Sequence, residues 1–101
     1  MDVLRALAAR LDAASETLAG LSRAVTAGDP AQVAFGGDAA GRPGEIGRAL
    51  HRQWTAATGD RAREAHAAAL RLAAAASAVR DAADRYADVD RAAGRRLAGE
   101  V

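Results

Sequence analysis

The sequence predicts an all-α fold, a two-helix antiparallel hairpin with a long second helix, on three observations. The N-terminal quarter carries Leu and Val at alternating steps of three and four; a segment dense in glycine and holding both prolines follows it; and the rest of the chain is rich in Ala, Arg, Leu and Glu with few breakers. All 101 residues are expected to form one helical-hairpin domain: helix 3–27, loop 28–44, helix 45–98.

The first helix is the clearest element. Leu4, Leu7, Leu11, Ala14, Leu18, Leu21 and Val25 line one narrow stripe, the seam pattern of a coiled coil. Asp2 suits the positive end of that helix, while Gly28, Asp29 and Pro30 supply a left-handed stop followed by a residue that cannot continue it. The segment Gly28–Gly44 is longer than the usual helix–helix link, so Val33 and Phe35 are expected to fold back as a plug on the end of the hairpin; a mobile linker with an incidental aromatic is the alternative.

Pro43 fits a first helical turn and Glu45 complements the dipole there, placing the start of the second helix near Gly44. Its expected seam passes through Ile46, Leu50, Trp54, Ala57, Ala65, Ala68, Leu72, Ala75, Val79, Ala82, Tyr86, Val89, Ala93 and Leu97, interrupted at Arg61. Gly59 followed by Asp60 allows a kink there, within what is read as one long helix.

Lengths then suggest a partner. At 1.5 Å per residue the first helix is roughly 40 Å long and the second roughly 80 Å, so a simple hairpin leaves part of the longer seam uncovered, with Val79, Tyr86, Val89 and Leu97 exposed. About thirty alanines and very few aromatics bring little area to a core. A four-helix core, formed with a second copy or with a different helical hairpin, is the expected completion, through Leu4, Leu7, Leu11, Leu18, Leu21, Val25, Trp54, Leu72, Val79, Val89 and Leu97.

Several function classes are disfavoured. The net charge of +1 is spread along the chain, every basic residue is arginine, and no block forms to which a polyanion would bind, so no nucleic-acid partner is expected. Without cysteine there is no thiolate ligand or nucleophile. Asp2, Arg5, Arg10 and Asp12 break up any cleavable apolar signal, and the apolar run Leu72–Val79 falls far short of the ~20 residues that span a bilayer. A peripheral membrane helix would carry more Trp, Phe and Lys. His51 and His66, fifteen residues apart on one helix, are too distant to chelate, and both are expected to be exposed. Ser15, Ser22 and Ser77 have no histidine nearby, and Gly36, Gly41 and Gly44 lack the Lys-Ser/Thr of a phosphate loop. The chain is expected to be no enzyme and to need no cofactor or metal.

Tyr86 and Asp90 form a Tyr-x-x-x-Asp segment late in the second helix. With the chain length and the hairpin architecture, this segment resembles the C-terminal export signal of type VII (ESX) secretion substrates of the WXG superfamily. Trp54 is followed by Thr55 and Ala56, so the Trp-x-Gly turn that names the superfamily is missing, and the EspC-like branch lacking that turn is the most similar. The resemblance implies export by a non-Sec route to the cell surface or medium, with Tyr86 and Asp90 as the residues read by the secretion ATPase.

Each residue also has a plainer reading. Tyr86 lies on the apolar seam and serves equally as a core aromatic with its hydroxyl near solvent, Asp90 as a solvating charge, and Trp54 as a packing anchor. Asp81, Asp84 and Asp88 alternate with Arg80, Arg85 and Arg91, as on an exposed face laced with local ion pairs. The functional expectation is an exported, interacting helical hairpin; a cytoplasmic helical adaptor or dimerisation module is the alternative.

Overall fold

The computed structural model describes residues 2–99. Among them stand two α-helices, α1 (Asp2–Ala27) and α2 (Gly41–Gly99), with one 3₁₀ turn at Gln32–Phe35 between them and no strand. The chain divides into two compact units, one formed by Met1–Glu16 with Ala69–Val101 and the other by Thr17–Ala68. In the second unit Ser22 meets Ala62; in the first, Ser15 meets Ala69, Asp12 meets Arg80 and Arg5 meets Asp84. In the first unit, the residue met on α2 comes later as the residue on α1 comes earlier, the register of an antiparallel hairpin.

Helix α1 begins at Asp2, whose carboxylate sits in the first turn against the positive end of the helix dipole. It ends at Ala27, but not by the left-handed glycine expected: among the described residues positive φ occurs at Gly36 and Gly41, not at Gly28. The Gly28 and Asp29 amides bond back to the Ala24 and Thr26 carbonyls at 3.1 Å each, and Pro30 follows with no amide to extend the pattern. Helix α2 starts at Gly41, ahead of the expected position, so Glu45 falls in its second turn. Proline is free of cost throughout a first turn, where no amide has an intrahelical acceptor, so Pro43 bounds the start without fixing it. The helix then runs without a break through Gly59 and Asp60.

In the unit Thr17–Ala68 the connection folds directly onto the start of α2. A Cβ on Gly47 would overlap the Phe35 carbonyl oxygen, and one on Gly44 the Ala39 carbonyl, so glycine at these two helical positions is what lets the loop backbone lie against the helix. Arg48 donates to the Gly37 carbonyl at 2.8 Å, and the Thr58 hydroxyl donates to Asp29 Oδ2 at 2.9 Å, tying both ends of the loop to α2. The Phe35 ring packs edge-on to His51, centroids 5.7 Å apart, and tilted against Trp54 at 6.2 Å. Phe35 is thus folded back as expected, whereas Val33 stands exposed and plays no part in a plug. His51, expected exposed, is half-buried by the same contact, while His66 is exposed.

Candidate interaction surface

The interface between the helices is made of small residues. The fully buried apolar side chains among the described residues are Ala8, Ala69, Ala76 and Ala83, at 0–4% exposure, and no larger side chain is completely enclosed. Ala69, Ala76 and Ala83 recur every seven residues, as do Ala8, Ser15 and Ser22 on α1. Ser15 Oγ donates to the Ala69 carbonyl and Ser22 Oγ to the Ala62 carbonyl, both at 2.7 Å. A side chain this short reaches the backbone of a neighbouring helix only when the axes lie at the close end of the usual separation of about 8–10 Å.

This rotates both seams from the expected ones. Leu4, Leu11, Leu18 and Val25 are half-buried beside the Ala/Ser line, while Leu7, Ala14 and Leu21 point outward. On α2, Leu72 and Val79 are half-buried beside Ala69, Ala76 and Ala83, and Ile46, Leu50, Trp54, Tyr86, Val89 and Leu97 are exposed. The cause is steric: leucine at the line of closest approach would push the backbones apart, so it takes the flanking positions. Val79, expected uncovered, is sheltered because α1 runs alongside α2 as far as the Arg5–Asp84 contact. By that register the start of α1 is level with about Ala87 or Asp88, and α2 continues past it.

In the unit Met1–Glu16 with Ala69–Val101, the two flanks of the helix pair differ in chemistry. One flank is closed by ion pairs, Arg5 with Asp84 at 2.8 Å and Arg80 with Asp12. These cross between helices where local pairs were expected; only Arg91 with Asp88 is an in-helix pair among the charges singled out there. Leu7 and Ala14 on α1, and Ala82, Tyr86 and Val89 on α2, fall by helical periodicity on the opposite flank, with the exposed Asp90 one turn on from Tyr86. Ala82, Arg85, Tyr86 and Val89 together line a shallow, open depression there. In the unit Thr17–Ala68, Ile46, Leu50 and Trp54 follow at successive turns of α2, forming a second exposed apolar strip beside the Phe35 contact.

Tyr86 is 58% exposed and Asp90, one turn on, is exposed as well. Trp54, half-exposed, packs on Phe35. The inter-helix roles of Ser15 and Ser22 were not anticipated, nor was the tie of Thr58 to Asp29 in the loop; for the two serines the seven-residue spacing of small residues was the available signal. No described helix is long and apolar enough to cross a membrane, and no group of three or more His, Asp or Glu among the described residues is placed to share a metal ion. No protein-family model, curated protein or solved structure matches the chain.

Proposed function

We propose that this protein is a non-enzymatic helical hairpin whose role is to pair with a second helical surface, and that it leaves the cell through a type VII secretion route. One observation carries the pairing: the enclosed interior is four alanines, while Leu7, Leu21, Leu50, Trp54, Tyr86 and Val89 stand on the outside. A buried alanine methyl contributes about 0.8 kcal/mol against about 1.5–3 kcal/mol for a fully buried Leu or Val, so covering these half-exposed side chains would add stability that the alanine interior does not supply. Another helical hairpin, a second copy or a different chain, would cover it in a four-helix arrangement.

The export half rests on the resemblance of the Tyr86–Asp90 segment to type VII signals and on the accessibility of both side chains to a reader such as the secretion ATPase. Tyr86→Ala and Asp90→Ala are expected to lower the protein in culture medium while its cellular level holds. Export of both variants at the wild-type level would leave the alternative, an adaptor that stays in the cytoplasm. Pairing is checked separately: Leu7→Asp is expected to shift the sedimentation of the assembled protein toward the single chain, and an unchanged profile would remove that face from the interface.

A further inference from the structure

Ala82, Arg85, Tyr86 and Val89 line the open depression on the apolar flank of the unit Met1–Glu16 with Ala69–Val101. Their spacing, i, i+3, i+4 and i+7, is that of the hole which receives one side chain from a facing helix in coiled-coil packing. None of the lining residues belongs to α1, so the hairpin leaves this hole unfilled. Arg85 borders it with an aliphatic stem and carries its charge to the rim. Asp90 follows Ala83 by seven residues, past the start of α1, and stands at the rim beside Tyr86. The same flank presents a knob. Leu7 of α1 is 44% exposed, and interpolation between the Arg5–Asp84 and Asp12–Arg80 contacts sets it level with Ala82 and Ala83. A helical side chain leans toward the N-terminus of its own helix, which for Leu7 is the direction of Tyr86.

A knob and a hole at one height on one flank make a surface complementary to itself. A two-fold axis parallel to the helices sets α1 of each copy antiparallel to α2 of the other and leaves heights unchanged, so each Leu7 meets the other copy's hole. The same operation brings Arg10 level with Asp81 of the second copy, and Arg85 level with Val3, so no like charges are opposed there. Neither Arg10 nor Asp81 has an ion-pair partner among the described residues. Surface area points the same way. The chain exposes 7086 Å², whereas a folded monomer of 10.3 kDa exposes about 5,400 Å². That surplus amounts to about 3,400 Å² over two chains, within the range of about 2,000–5,000 Å² that permanent homodimers bury. We propose that this flank is the interface of a two-fold symmetric dimer of the chain, in which Leu7 of each copy fills the Ala82–Arg85–Tyr86–Val89 hole of the other. This rests on the pairing reading above and names the partner.

The chain has no cysteine, so introduced ones report the geometry directly. Wild type is expected to sediment as a dimer at micromolar concentration. The variants Leu7→Cys and Ala82→Cys, mixed and oxidised, are expected to give at least about tenfold more disulfide-linked dimer than either variant gives alone, because the two-fold axis brings unlike positions together and holds like positions apart. Wild type that stays a single chain would overturn the proposal while leaving pairing with a different chain in place. A dimer in which the mixed variants cross-link no better than each alone would overturn this interface and leave self-pairing through another face. Charge exchange gives a readout independent of cysteine packing. Arg10→Asp and Asp81→Arg are each expected to weaken self-association several-fold and, combined in one chain, to restore it, with the effect shrinking as salt is raised. Losses that simply add in the double variant would overturn the register.

Discussion

Ser15 and Ser22 each place a hydroxyl 2.7 Å from a backbone carbonyl of α2, and what they do at that spacing separates two contributions. The hydrogen bond itself is modest, because the carbonyl that accepts it lies within a helix. The absence of bulk is the larger effect, since it permits the approach that encloses Ala8, Ala69 and Ala76. Ser15→Ala should therefore cost only about 0.5–1.5 kcal/mol in urea unfolding. Ser15→Leu, which adds apolar area and on composition alone would look favourable, should cost about 1–3 kcal/mol more through overpacking. Leucine tolerated as well as alanine would show that the helices are not held close at this point. The same steric rule explains why Leu7 and Leu21, strong members of the leucine stripe, ended on the outside.

Each element was legible to the degree that local physics decides it. The extent of α1 follows from an unbroken three–four spacing bounded by Asp2 and the Asp29–Pro30 pair, and the helical nature of α2 from its composition. The start of α2 was less legible, because Pro43 is compatible with several first-turn positions. The seams were misread by a fraction of a turn: leucine marks where apolar area is, whereas Ala and Ser mark where two backbones touch, and the latter sets the rotation. Periodicity alone cannot rank these, since both patterns repeat every seven residues. The loop offers its own check. Gly47→Ala should destabilise the contact of the loop with α2 by about 1–3 kcal/mol, because its Cβ meets the Phe35 carbonyl. Trp54, the single tryptophan, reports on it directly: Gly47→Ala and Phe35→Ala should both shift its emission to longer wavelength, and an unchanged spectrum would contradict the Phe35–Trp54 packing.

For the molecule as a whole the balance between what is enclosed and what is left in water is the governing quantity. A chain of about a hundred residues has limited surface to bury even when its core is made of large side chains, and here the fully enclosed side chains are alanines. Ion pairs such as Arg5–Asp84, exposed to solvent, add little. Folding and association are accordingly expected to be linked, with a partner raising stability by mass action. Sequence made the scarcity of large core residues visible, but not which of them the hairpin leaves outward, which depended on the seam rotation. The most direct test is thermal unfolding of the purified chain measured on samples whose sedimentation is recorded alongside. The account predicts that samples sedimenting as a single chain lose helix gradually, with a small unfolding enthalpy, and that sharp cooperative unfolding appears only in assemblies. A single chain that unfolds sharply, at a midpoint independent of concentration, would contradict it.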